Sequence, residues 1–340
     1  MAKPGVESRA GEIVALICVL LPLCLIAVSL RFYSRIKYTR IGVDDVLCLL
    51  ATFFFIGLAA ATFVALAISF GMGTHIWDVP PENGIKMEKC GFTSQILYPP
   101  ALGLVKVSIL MFLTRILPAV HVWKTPLRLF AAFITVAETA FFFTLVFQCR
   151  PVHAYWNRAM PGRQCINQPV FYYVDAGFNI LFDLIILLIP TLLFRKLNVR
   201  KKQKYGVIAL CSVGVFTLIS SVLRLPYLHN LNQSDDPTWA IVNMVLWSNA
   251  ELASAITLSC VPTLKPLYVK LRLKYGPPST STAGTGSNSK KGSSNNSSNA
   301  WRSFAAPAVV ADKADGAAHY RQVDEFSMES RGGVRSSSNE

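Results

Sequence analysis

The sequence predicts an all-α membrane protein: a bundle of seven transmembrane helices, N-terminus outside and C-terminus cytoplasmic, with a disordered C-terminal tail. Three observations lead there. Only 15% of the 340 residues are charged while 52% are hydrophobic, whereas a soluble domain carries roughly 25% charged residues. The 33 Lys and Arg outnumber the 19 Asp and Glu, for a formal net charge of +14. So large an imbalance on so few charges means that the basic residues are confined to particular places. Finally, seven stretches reach the about 20 predominantly apolar residues that crossing the hydrocarbon core requires.

The first span, Ile13 to Leu30, follows a short outer segment, residues 1–12. It reads as a retained helix rather than a cleaved signal peptide, because no A-x-A-like cleavage site precedes the basic stretch Arg31 to Arg40 and its apolar run exceeds that of an ordinary signal. The second span, Val46 to Phe70, is preceded by Asp44 and Asp45, where carboxylates cap free amides and meet the positive end of the helix dipole. The remaining spans are Phe92 to Leu117, Leu127 to Phe147, Val170 to Phe194, Tyr205 to Leu225 and Trp239 to Val261. None shows the ten-residue alternation of a barrel strand. The bundle therefore occupies residues 13–275, and the Ser-, Gly- and Asn-rich segment 276–340 has too little apolar surface to offset the entropy of ordering.

Orientation follows from the short loops, since cytoplasmic loops hold the excess of Lys and Arg. The loops after spans one, three and five hold 13 basic residues, and those on the other side hold 7. The sequon at Asn232 falls between spans six and seven, on the outer side, where glycosylation is possible. Cys90, Cys149 and Cys165 also lie in or beside outer loops, the compartment that permits disulfides. Cys149 with Cys165 is the favoured pair, and Cys90 with either is the alternative.

Ionisable residues inside the spans are the candidates for function, because each costs roughly 2.5 to 3.5 kcal/mol at the bilayer centre and so needs a partner or a wet cavity. They are Lys106, Glu138, Asp175, Asp183, Arg224 and Glu251. From the rise of a helix, Lys106, Asp183 and Glu251 fall at about 18 to 21 Å from the outer face, in one layer near the midplane. Asp175 and Arg224 fall nearer the surface in a second. Asp175, Asn179 and Asp183 are four apart, as are Asn243, Trp247 and Glu251, which puts each set along one stripe of its helix. Such stripes serve either as interhelical glue or as the wall of a polar pocket that meets a ligand. On the inner side, Arg195, Lys196, Arg200, Lys201, Lys202 and Lys204 satisfy the topology rule and also offer a surface for a cytoplasmic signalling partner or anionic lipid.

Several motifs together carry a family resemblance. They are Arg35, Gly42-x-Asp44-Asp45, Gly71-x-Gly73-x-His75-x-Trp77-Asp78, Lys106-x-Ser108-Ile109-Leu110 with Arg115, Cys149-x-Pro151 followed by Trp156 and Cys165, Asp183 before Pro190, Arg224, and Glu251 before Pro262 and Pro266. In this order they make the chain similar, from about Leu30 to Tyr268, to the fungal rhodopsin-domain family of seven-helix integral membrane proteins. That family includes receptor-like proteins of filamentous fungi. A retinal protein needs a Schiff-base lysine in its seventh helix, and Trp239 to Val261 contains none, so neither retinal nor any other cofactor is expected. The chain also lacks an Asp-Arg-Tyr after span three and an Asn-Pro-x-x-Tyr in span seven, so the coupling machinery of animal receptors is not implied.

The leading expectation is a receptor-like sensor, in the plasma membrane, of an extracellular small-molecule or peptide ligand, with an outward-open pocket near Lys106, Asp183 and Glu251. The alternative is a small-molecule or proton-coupled transporter, although helices one to three show no likeness to five to seven of the kind that repeats produce. No span contains a histidine and no hydrolase, Walker or dinucleotide motif appears, so neither an enzyme nor a metal site is expected. Nor is nucleic acid a partner for so apolar a chain.

Overall fold

The computed structural model describes residues 7–67, 72–116, 121–157, 160–196, 201–264 and 267, the side chains of 67, 81, 116, 121, 122 and 193–213 excepted. The side chains of Arg195, Lys196, Arg200, Lys201, Lys202 and Lys204 and the segment 276–340 thus lie outside the described residues. Seven long helices account for nearly all of the rest: α1 (Ala10–Tyr38), α2 (Val43–Ala67), α3 (Pro81–Ile116), α4 (His121–Val146), α5 (Gln168–Lys196), α6 (Lys201–Gln233) and α7 (Pro237–Cys260). Among the described residues, α1 to α5 and α7 make six helices long and apolar enough to cross a membrane. Each apolar run of the sequence overlaps one helix, but the bounds differ: α3 starts at Pro81 rather than near Phe92, α6 continues to Gln233 rather than ending at Leu225, and α4 and α7 stop one residue short of their runs, at Val146 and Cys260.

The distribution of side chains is that of a multi-pass membrane protein. Phe53, Val136 and Val19 are 72%, 68% and 66% exposed, while Arg31 and Asp45 are fully buried. Water would penalise the first set and reward exposure of the second, whereas lipid does the reverse. Around the bundle α1 packs on α2 and α7, α2 on α3, α3 on α4, α5 on α6 and α6 on α7, and α3 also reaches α5 and α7. Helix α3 is therefore central, and its residues can meet four neighbours.

One end of the bundle is fastened by charge. Arg31 of α1 places Nε 2.8 Å from Asp45 Oδ1 and Nη2 2.9 Å from Asp44 Oδ2, and Arg35, one turn on, repeats both contacts at 3.0 and 2.7 Å. Arg31 also donates to the Ser259 carbonyl of α7 at 2.7 Å, and Ser108 of α3 donates to the Asp44 carbonyl at 2.7 Å. Asp45 accepts in addition from the Gly42 amide at 2.9 Å, the capping role its position at the start of α2 predicts. Burying these charges is tolerable because each carboxylate meets the guanidinium groups of Arg31, Arg35 and Arg115.

At the opposite end, β1 (Cys149–Arg150) and β2 (Gln164–Cys165) form a two-stranded antiparallel ribbon closed by a disulfide between Cys149 and Cys165. Cys90, in α3, is a free half-buried thiol. Beside the ribbon the connection from α2 to α3 turns at Gly73, whose φ of 83° favours glycine. Its carbonyl accepts from Arg9 N at 2.8 Å and its amide donates to the Thr238 carbonyl at 3.1 Å, tying the loop to the N-terminus and to α7.

Candidate functional site

Midway between these ends, α3, α5, α6 and α7 contribute polar side chains to one connected network. Lys106 donates to Asn179 Oδ1 at 2.6 Å and lies 3.3 Å from Asp183 Oδ1. The other oxygen of Asp183 is 2.8 Å from Ser221 Oγ, which is also 2.6 Å from Glu251 Oε1. The second Glu251 oxygen accepts from the Tyr98 hydroxyl at 2.7 Å and is 3.7 Å from Arg224 Nη1. Arg224 in turn donates to the Tyr98 hydroxyl. Asn179 extends the chain to Asp175 Oδ1 at 3.2 Å. Lys106, Asn179, Asp183, Ser221, Arg224 and Glu251 are all buried.

Of the residues singled out from the sequence, Lys106, Asp175, Asn179, Asp183, Arg224 and Glu251 thus meet, but not in the expected layers. Lys106, Asp183 and Glu251 share a level, as the helix rise predicts. Arg224 joins that level through Tyr98 and Glu251 instead of lying near the surface, because α6 continues past Pro226 to Gln233. For the same reason Asn232 is an exposed residue in the last turn of α6 rather than in a loop. Ser221 and Tyr98 complete the network, and sequence reasoning passed over both. Only spacing pointed to them: Ser221 is one turn from Arg224 and Tyr98 two turns from Lys106 on the same helix face. Glu138 of α4 is a separate case. Its side chain presses against Gly103, where a Cβ would sit 2.8 Å from Glu138 Cγ, and neither of its buried carboxyl oxygens has a hydrogen-bond partner.

Toward the disulfide the network is roofed. Tyr172 donates to Gln95 Oε1 at 2.9 Å, and Gln95 Nε2 donates to the Tyr155 hydroxyl at 3.0 Å. Tyr155 belongs to the loop that the Cys149–Cys165 bridge closes, and Phe92 packs against both it and Trp156 at ring separations of 5.1 and 5.7 Å. These contacts stand between the network and the loop that the disulfide closes. A cavity of ≈ 40 Å³ lies on the other side of the network, bounded by Lys106, Asp183 and Glu251 and continuing along Ile109, Pro190 and Leu258 toward the end that holds Arg31. The space exists there because Gly214, Thr217 and Ala255 present small side chains to it.

Outside the membrane-spanning segments, His75 lies flat between Trp77 and Trp239, at centroid distances of 4.6 and 4.3 Å, with Nδ1 2.6 Å from Asp236 Oδ2. Partial burial opposes ionisation of Asp236, but hydrogen bonds from His75, Thr238 and the amides of Ile76 and Trp239 outweigh it and hold the carboxyl below its ordinary range.

Comparison with known proteins matches residues 30–270 to the family model of the fungal rhodopsin domain. The chain is 29% identical over 200 residues to SAT4 family membrane protein of Emericella nidulans, covering 58% of this chain and 50% of that protein. It is 24% identical to Fugralins biosynthesis cluster protein 2 of Gibberella zeae, covering 77% of this chain and 65% of that protein. It is also 24% identical to Receptor GIN3 of Arthrobotrys oligospora, covering 84% of this chain and 70% of that protein. The chain thus spans between half and two thirds of the length of the first two relatives.

Proposed function

The chain belongs to the fungal rhodopsin domain family, and from that premise we propose that it is a receptor-like sensor working without retinal. In this reading α6 is the seventh span, and the N-terminus and the disulfide loop face outward. The C-terminus and the basic residues Arg195, Lys196, Arg200, Lys201, Lys202 and Lys204 face the cytoplasm, where they meet a signalling partner. The plasma membrane is the site of action, and the protein acts by binding rather than turnover. Modification of Asn232, detected as a mobility shift on deglycosylation, checks the orientation.

The observation that carries the reading is the unbroken run of contacts from Asn179 through Lys106, Asp183, Ser221 and Glu251 to Tyr98 and Arg224. It links four helices through single side chains, so exchanging one contact biases the positions of the rest, as a switch between discrete arrangements requires. A small organic or peptide ligand that parts Gln95 from Tyr155 and Tyr172 reaches Tyr98 next. The relative named Receptor GIN3 supports the class.

A thermal-shift screen of detergent-purified full-length protein tests this, because a ligand of the folded state raises its stability. A compound that stabilises the wild type but neither Asp183→Asn nor Glu251→Gln supports the sensor reading. Compounds that stabilise all three equally place the ligand elsewhere.

The cavity favours a second reading. The network borders a cavity of ≈ 40 Å³ on the side away from the disulfide, and a carrier would need such a space on its substrate path. Flux of a stabilising compound into proteoliposomes selects this alternative.

A further inference from the structure

Ser221 has one hydroxyl proton, yet its Oγ lies 2.8 Å from Asp183 Oδ2 and 2.6 Å from Glu251 Oε1. A hydroxyl can donate to only one of these oxygens at a time. The other contact is a hydrogen bond only if that carboxyl carries a proton and donates it to Oγ. Were both ionised, one oxygen pair at this distance would repel without a hydrogen between.

The surrounding charges lead to the same count independently. Facing the site are Lys106 and Tyr98 from α3, Glu138 from α4, Asp175 and Asp183 from α5, Arg224 from α6 and Glu251 from α7. The buried charges of α1 and α2, Arg31, Arg35, Asp44 and Asp45, pair with one another at the far end. Two cations therefore confront four carboxyls. Glu138, buried with neither oxygen hydrogen-bonded among the described residues, lacks the donors that would solvate a negative charge, which favours its neutral form. With a second proton between Asp183 and Glu251, the two remaining negative charges balance Lys106 and Arg224.

We infer that the midplane network is a proton-binding site holding two protons, one on Glu138 and one shared by Asp183 and Glu251 through the Ser221 hydroxyl. The shared proton moves without net chemistry. As Asp183 passes its proton to Ser221 Oγ, the hydroxyl proton passes to Glu251 Oε1, and the reverse step restores the start. The cavity of ≈ 40 Å³ that touches Lys106, Asp183 and Glu251 has room for about three waters at ~10–15 Å³ each, which supply the route by which the proton exchanges with solvent. The inference is independent of the sensor reading, because it concerns the protein with no ligand bound.

Infrared spectroscopy of the full-length protein in lipid at neutral pH, in H2O and D2O, reads protonated carboxyls directly through their C=O stretch. Two deuterium-sensitive acid bands are expected in the wild type. Glu138→Gln removes one. Asp183→Asn and Glu251→Gln each remove the other, because the amide takes the place of the protonated partner and leaves the remaining carboxyl ionised. Both single variants fold, since each is a neutral mimic of a state already occupied, with melting temperatures within about 4 °C of wild type. The double variant, which strips Lys106 and Arg224 of their remaining counter-charge at Ser221, melts lower than the sum of the two single shifts predicts. Absence of acid bands from the wild type overturns the inference. So does a band lost in only one of the Asp183 and Glu251 variants, which makes the proton local, or failure of both to fold.

Discussion

His75 Nδ1 sits 2.6 Å from Asp236 Oδ2, and the same carboxylate caps α7 through the Trp239 amide. One acidic residue therefore ties the α2–α3 loop to the start of the last helix.

The linkage makes stability pH-dependent in a definite direction. The folded state holds the Asp236 carboxyl below its ordinary value, so the contribution is fully present above the unfolded carboxylate range, about pH 4, and is lost as pH falls through the lowered folded value. Asp236→Asn, which keeps a capping oxygen, should flatten the acid limb of the melting curve below about pH 4, whereas Asp236→Ala should in addition cost about 1 kcal/mol of capping at neutral pH. An acid limb identical to wild type refutes the assignment.

Breaking the Cys149–Cys165 bridge should loosen the roof over the network. A loop of this length is worth about 3 kcal/mol in the chain-entropy account, so Cys149→Ser or reduction should lower the melting temperature by roughly 6 to 12 °C. Protease access to the segment around Tyr155 should rise at the same time. Cys90→Ala should leave both quantities unchanged.

Arg31 and Asp45 are fully buried, so removing one partner leaves a charge stranded. Asp45→Asn and Arg31→Met should each destabilise by about 3 to 5 kcal/mol, seen as loss of the monodisperse peak in detergent chromatography. Exposed charges such as Glu12 should tolerate neutralisation.

Gly103→Ala should clash with Glu138, whose Cγ would lie 2.8 Å from the new Cβ, at a cost of about 1 to 3 kcal/mol. Glu138→Ala should rescue it in part, since it removes the Cγ but leaves a Cβ 3.0 Å from the new one. Equal instability of the single and double variants rules out that contact as the cause.

Much of the fold was legible because lipid imposes a length on each helix, and composition reports that length. The faces of α5 and α7 were legible because residues four apart must share a stripe, which brought Asp175, Asn179, Asp183 and Glu251 together. Helix ends were less so. A hydropathy run stops at Arg224, but the helix does not, since the guanidinium finds Tyr98 and Glu251 inside the bundle. Ser221 was hard to single out for a chemical reason: a Ser or Thr hydroxyl in a helix commonly satisfies itself on its own backbone, as Thr52, Thr62 and Thr257 do here. Arg31, Asp44 and Asp45 looked like loop charges and a cap, and nothing in their spacing revealed that α7 would close over them.

That closure divides the bundle mechanically. Among the described residues, the bonds at the Arg31 end join α1, α2, α3, α7 and the turn that follows it: Arg31 to Ser259, Ser34 to Thr263, Ser108 to Asp44 and Arg115 to Arg40. These helices form a stator. The cavity lies along the seam where α5 and α6 meet it, so the bracing of the one group of helices stops where the open space begins.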